Sequence, residues 1–358
     1  MKLPQRLTDR LHRKALHWIL GRENRDGPDD YLTLHRRPKR ADRIGTWPEP
    51  GIAPARAAVV MQGPPATAQD FTLETLKLYR RQMPGTQLIL STWADTEPAI
   101  LGRARDLGVT VVLSDKPAIP GLFNVNMQIV SAAAGVRRAV EDGAEWILKT
   151  RTDQRLYAPD ALAFLVALAQ AFPIVAETPQ RHRIIGVGAG SLKFAPYHPT
   201  DQTLFGSAPD MLAYWTPPLR ETAEVEGSAS ELFGSLPIGR LCHQAAPESY
   251  LASQFLTRIG RPLDWTLEDS WAAYRDHFCF ADLATTDFFW EKGQIYSQRE
   301  HSFVYEAMSN RADMGFRDWL LLYGGHYIPA DARRYEPVLL DRFNEPVPAP
   351  ADPPTAAS

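Results

Sequence analysis

Lys149, Arg151 and Asp153 stand at alternate positions after the apolar pair Ile147-Leu148. On a β-strand successive side chains point to opposite faces, so this spacing puts two cations and a carboxylate on one face near the strand's carboxyl end. Placed there, Lys149 and Arg151 would neutralise a diphosphate, and Asp153 would hold a divalent cation or a sugar hydroxyl. The same charges would also satisfy one another as a structural ion-pair cluster. A second segment, Trp265 to Trp271, sets the adjacent carboxylates Glu268 and Asp269 among aromatic residues. Desolvation raises a carboxyl pKa and suits it to general-base work, with Asp269 the first candidate and Glu268 the second. Asp269 would equally serve as the N-cap of a helix beginning at Ser270.

Weaker signals lie upstream. Asn124, Asn126 and Gln128 open a long helical pattern; their amides would read the hydroxyls or base of a ligand over the sheet, or Asn124 would cap the helix. Gln62-Gly63-Pro64 allows the close backbone approach that a nucleotide needs, yet neither G-x-G-x-x-G nor G-x-x-x-x-G-K-[ST] occurs. The later histidines, at 182, 198, 243, 277, 301 and 326, form no H-E-x-x-H, and there is no C-x-x-C or G-x-S-x-G. Among them His301 is the candidate cation ligand, with a surface or packing role as the alternative.

The positioning elements follow from apolar runs. Ala57 to Met61, Gln87 to Trp93 and Val109 to Asp115 read as buried strands, with helices over Phe71 to Gln82 and around Leu101 to Gly108 between them. Val125, Ile129, Ala133, Val136 and Val140 recur at helical spacing over Asn124 to Asp142, and a strand over Glu145 to Arg155 follows. Strands separated by single helices require crossover connections, hence an α/β fold with a mainly parallel sheet covered on both faces. Ligands collect outside the carboxyl ends of such strands. Beyond Pro159, a helix over Ala161 to Phe172 leads to RIIGVGAG, after which turns multiply into a looser C-terminal portion. The stretch Glu221 to Ser235 reads as a surface insertion, and the Pro- and Ala-rich tail over 345–358 as disordered.

The 358 residues carry a net charge of −3, so no global basic field gathers nucleic acid. Cys242 and Cys279 are too few for a disulfide framework, which favours a reducing, cytoplasmic setting. No apolar run is long enough to span a bilayer. Residues 1–45 hold 12 basic against 6 acidic side chains, and Leu3, Leu7, Leu11, Ala15, Trp18 and Ile19 recur at helical spacing among them. This basic amphipathic helix would lie at the inner face of a plasma membrane, or pack on its own domain. The organisation expected is a helix and linker over 1–55, a globular domain over 56–344 with halves meeting at 158, and the tail.

The succession VVMQGPP (Val59 to Pro65), FTLETLKLYRRQMPGTQLILSTW (Phe71 to Trp93), NVNMQIVSAAAG (Asn124 to Gly135), ILKTRTDQRLY (Ile147 to Tyr157) and WTLEDSWAAYRDHF (Trp265 to Phe278) resembles the WavE lipopolysaccharide synthesis family. That resemblance implies a bacterial protein that helps to build lipopolysaccharide or a related surface polysaccharide. It further implies a glycosyltransferase of the GT-A type, with the nucleotide-sugar donor on residues 56–158 and a lipid-linked acceptor on 159–344. In GT-A enzymes a D-x-D after a sheet strand usually binds a divalent cation and the donor diphosphate. The matching stretch here is Arg151-Thr152-Asp153, which implies Mn²⁺ or Mg²⁺ on Asp153 alone, its charge partly replaced by Lys149 and Arg151. The Glu268-Asp269 pair is similar to the E-D pair that often supplies the base for the acceptor hydroxyl. A sugar nucleotidyltransferase, or a non-catalytic sugar-binding component of the assembly machinery, are the alternatives.

Overall fold

Ala57–Gln62 (β1) is buried along its whole length, because a parallel neighbour pairs with it on each side. Those neighbours are β2 (Gln87–Trp93) and β4 (Trp146–Arg151), and β3 (Thr110–Ser114) extends the sheet beyond β2. The computed structural model describes residues 11–12, 14–19, 21–22, 37–45, 56–188, 190–221, 238–292 and 313–326. Most of the acidic insertion, His301 and the tail lie outside the described residues. The chain groups into two compact units, Met1–Lys39 and Arg40–Ser358. In the first, residues 11–12, 14–19 and 21–22 are helical, as the periodicity predicts.

In the second unit, helices α1 (Phe71–Gln82), α2 (Pro98–Asp106) and α3 (Val125–Glu141) provide the crossovers. The α3 helix lies so close to the sheet that a Cβ on Gly135 would stand 2.4 Å from Val60 Cγ1, so only glycine fits there. After α4 (Ala161–Ala171), the second half of the chain adds β6 (Ile184–Val187), β7 (Thr203–Ser207) and β8 (Phe278–Ala281) to the same sheet. The strand order is β3-β2-β1-β4-β7-β6-β8, and only β7 runs antiparallel to its neighbours. The expected α/β fold with a mainly parallel, helix-flanked sheet is therefore what the chain adopts. The second half is less loose than its turn-rich sequence suggests, since it supplies nearly half of that sheet.

The strand expected over Glu145 to Arg155 is broken. β4 ends at Arg151, and β5 (Gln154–Leu156) leaves the sheet to pair with β9 (Phe288–Trp290) as a separate antiparallel ribbon. Thr152 is held at the break: its N–H donates to Gln62 O (3.1 Å), its hydroxyl to Pro64 O (2.6 Å), and its carbonyl accepts from Thr72 Oγ1 (2.8 Å). These bonds divert the backbone toward the loop after β1. Because β7 is reversed, its first residues lie beside the carboxyl ends of β4 and β6, so the segments after β1, β4 and β6 and before β7 converge on one edge of the sheet.

Candidate functional site

At that edge Arg151 and Asp153 meet. The guanidinium donates from Nε to Oδ1 and from Nη2 to Oδ2, both at 2.9 Å, a bidentate ion pair. Trp290, carried in by the β5/β9 ribbon, donates its Nε1–H to Asp153 Oδ2 at 3.0 Å and places its ring 5.6 Å from the Arg151 guanidinium. Burial pushes the Asp153 carboxyl up, but the hydrogen bonds and charge of Arg151, with the Trp290 indole, hold it below its ordinary value. The Arg151 side chain is 26% exposed against 13% for Asp153, and among the described residues no hydrogen bond engages Nη1. The outward-facing group of the pair is the cation.

Lys149 does not join them at the surface. It is wholly buried, its Nζ donating to the Asp201 carbonyl (2.7 Å) and the Gln202 carbonyl (3.2 Å) and lying 4.2 Å from the centre of the Trp215 ring. Burial draws its pKa down to about 7, opposed by the charge of Asp201 and assisted by that of Arg151. The alternation rule gives the face correctly but not the depth, and Lys149 is a strut beneath the site. Two residues expected at the donor are likewise committed internally. Gln62 donates to Ser131 Oγ (2.8 Å), and Asn126 is locked by Arg220 N–H (2.9 Å), Arg220 O (2.8 Å) and Ile119 O (2.9 Å). Gly63, at φ +114°, turns the chain where a side chain would crowd Thr152. Asn124, left-handed at φ 61°, precedes α3 without a side-chain cap bond and is exposed; Gln128 is half-buried.

Asp269 also has a different setting from the one expected. The helix α8 (Leu267–His277) starts earlier, and Thr266 is its N-cap, accepting from Asp269 N–H at 3.1 Å. Thr266 therefore takes the capping role. The Asp269 carboxylate accepts from Arg261 Nη2 (2.7 Å) and Nη1 (3.1 Å), Asp264 N–H (3.1 Å) and the Tyr197 hydroxyl. Burial raises its pKa, but the bonds from Arg261 and Tyr197 prevail and set it below the ordinary value. The raised pKa that aromatic surroundings would confer is thus not found. Glu268 is exposed.

A cluster that spacing did not reveal lies alongside. His198 and Asp201 precede β7, and Glu248 sits in the first turn of Pro247–Arg258, the helix α7 that follows α5 (Ala208–Trp215) and α6 (Ile238–Gln244). His198 Nε2 lies 3.5 Å from Glu248 Oε2, and Nδ1 lies 3.0 Å from the Gly190 carbonyl. Burial pushes Glu248 up to about 7, the Asp201 charge adding to this and the His198 charge opposing it. Asp201 also bears on Arg151 electrostatically, which ties this cluster to the first. The only sequence trace is the H-P-T-D of 198–201 and the P-E of 247–248, which match no spacing rule.

The residues present do not fit the divalent cation that the D-x-D pattern implies. Both oxygens of Asp153 are taken by a guanidinium and an indole N–H, and Arg151 places a positive charge where the ion would sit. Among the described residues no group of three His, Cys, Asp or Glu is arranged to hold a metal ion.

The model of a family described as WavE lipopolysaccharide synthesis matches residues 57–337. No curated protein sequence matches the chain. Solved structures with a similar course include S. aureus TarS 1–349, at 10% identity over 78% of this chain and 72% of that one (TM-score 0.34). Another is the mannosyltransferase PcManGT from Pyrobaculum calidifontis in complex with GDP-Man and Mn²⁺, at 14% identity over 82% and 92% (TM-score 0.31). A third is a putative glucose-1-phosphate thymidylyltransferase from Bacillus anthracis, at 8% identity over 69% and 94% (TM-score 0.34). Likeness at this level does not bear on the chemistry.

Proposed function

Because the chain belongs to the WavE lipopolysaccharide synthesis family, we propose that it is a glycosyltransferase moving a sugar from a nucleotide-sugar donor to a lipid-linked glycan. The observation that carries this reading is the Arg151–Asp153–Trp290 group at the carboxyl edge of the sheet, with its cation facing out. Asp153 and Trp290 hold the guanidinium flat and oriented. Its Nη1 hydrogens then meet the diphosphate oxygens of the donor and stabilise the charge that grows on them as the sugar departs. Arg151 does this as a fixed cation, with no metal ion required. Gly63 and the exposed Asn124 ahead of α3 border the same edge, where the nucleoside would lie.

A lipid-linked acceptor calls for work at a membrane surface. Among the described residues no helix is long and apolar enough to cross a bilayer. The N-terminal helical segment instead exposes Leu11, Ile19 and Trp18, the last at 61%, beside Lys14 and Arg22. This arrangement supports peripheral contact with an anionic leaflet.

The test is a thermal-shift series with UDP, GDP, CMP and dTDP, each with Mn²⁺ or with EDTA, since a ligand that binds only the native state raises the melting temperature. One nucleotide is expected to shift the wild type but not Arg151→Ala. No shift with any of the four would defeat the proposal.

A further inference from the structure

Within the glycosyl-transfer reading, on which this inference rests, we propose that Glu248, paired with His198, takes the proton from the acceptor hydroxyl in place of Asp269. The oxygens of Asp269 are engaged by Arg261, Tyr197 and the Asp264 N–H, which leaves little capacity for an incoming proton. Glu248 is placed differently. It is half-buried at the start of α7, and its carboxylate reaches His198.

A carbonyl only accepts, so the Gly190 oxygen fixes the proton of His198 on Nδ1, and Nε2 faces Glu248 with a lone pair in the neutral ring. At 3.5 Å the ring nitrogen and the Glu248 carboxylate stand in each other's field. Beside this pair, the Tyr214 hydroxyl is fully buried without a hydrogen-bond partner, in the field of both Asp201 and Glu248. The groups facing Glu248 are His198, Asp201, Tyr214 and Cys242, and His198 is itself faced by Asp313. Burial and the Asp201 charge raise Glu248 to about 7, where a carboxylate is a stronger base than usual and about half of it is ionised at neutral pH.

The step balances simply. The acceptor O–H gives its proton to Glu248, and the oxygen's electron pair forms the new bond to the anomeric carbon. The bond from that carbon to the diphosphate breaks, its electron pair leaving on the nucleoside diphosphate beside Arg151. A direct displacement of this kind inverts the anomeric centre.

The experiment measures nucleotide release from a panel of UDP-, GDP-, dTDP- and CMP-sugars, with deacylated lipopolysaccharide as acceptor, for wild type, Glu248→Gln, Glu248→Asp and Asp269→Asn. Thermal shift with the matching nucleotide is read in parallel. Glu248→Gln is expected to lose about 10²- to 10⁴-fold in release while keeping the nucleotide shift, and Glu248→Asp to recover part of the loss. A merely structural Glu248 would weaken binding and release together, or neither. Release by Glu248→Gln within threefold of wild type overturns the assignment, as does an Asp269→Asn protein that melts normally, binds nucleotide and is inactive. A wild type that neither binds nor turns over any donor defeats the transfer reading itself.

Discussion

The guanidinium of Arg151 lies edge-on to the carboxylate of Asp153, with two hydrogen bonds of 2.9 Å, so the position where a D-x-D would present two acids instead presents a neutralised pair with a cation outward. Nucleotide binding is therefore expected to be indifferent to EDTA and to added Mn²⁺. Arg151→Ala should weaken it about 10- to 100-fold, equivalent to about 1.5–3 kcal/mol for a charge-assisted hydrogen bond. Arg151→Lys should not restore affinity, because an ammonium lacks the planar fork that Asp153 and Trp290 hold in place. Calorimetric titration of the nucleotide into each variant, with and without chelator, checks this; a strict Mn²⁺ requirement would contradict it.

How much of this was legible in the sequence differs between the halves of the chain. β1, β2, α1 and α3 fall within a residue or two of the expected bounds, since uninterrupted apolar runs and a clear helical period reflect local forces. The break after Arg151 was not legible, because it is made by Thr152 bonding to Pro64 and Thr72, residues distant in sequence. Spacing identified Arg151 and Asp153 as partners on one face, yet it said nothing of depth, and so Lys149 was placed at the mouth rather than beneath it. The aromatic neighbours of Asp269 point to a desolvated carboxyl, while its actual environment is set by Arg261. Glu248 was invisible for the same reason: what distinguishes it is the company of His198 and Asp201, which the fold alone brings together.

Asp269 ties the segment Arg261–Trp265 to the start of α8 and to Tyr197. Removing either charge leaves the other partly buried, which typically costs about 2–4 kcal/mol. Arg261→Ala is expected to lower the melting temperature by several degrees. Because the Asp269 pKa is depressed in the folded state, its contribution is present above the ordinary carboxylate range and is lost as pH falls through the folded value. The gap between wild type and Asp269→Asn should therefore be widest near neutrality and narrow in acid, as melting curves from pH 3 to pH 7 would record.

The N-terminal helix bears on where the protein works. Trp18, Leu11 and Ile19 expose apolar surface, and the cations beside them are drawn to anionic headgroups. The protein should sediment with phosphatidylglycerol vesicles at low salt and less so as ionic strength rises. Substituting Trp18→Glu together with Leu11→Glu should abolish most of that binding while leaving nucleotide shifts intact. Equal binding to neutral and anionic vesicles would argue against the basic face.

Glu248 carries a signature in stability as well as in rate. Its folded pKa, about 7, lies above the ordinary 4.5, so the native state holds this proton more tightly than the unfolded chain does. Stability linked to Glu248 is therefore full below about pH 4.5, declines as pH rises toward 7, and is level above that, with a total span of at most about 3 kcal/mol. Glu248→Gln is neutral throughout and escapes the decline. At pH 5 the variant and the wild type should melt within a degree or two of each other; at pH 8 the variant should melt several degrees higher. A variant more stable than wild type at the pH where it has lost turnover would mean that the fold retains an unfavourable buried charge for its chemistry, because a purely structural residue would not impose that cost.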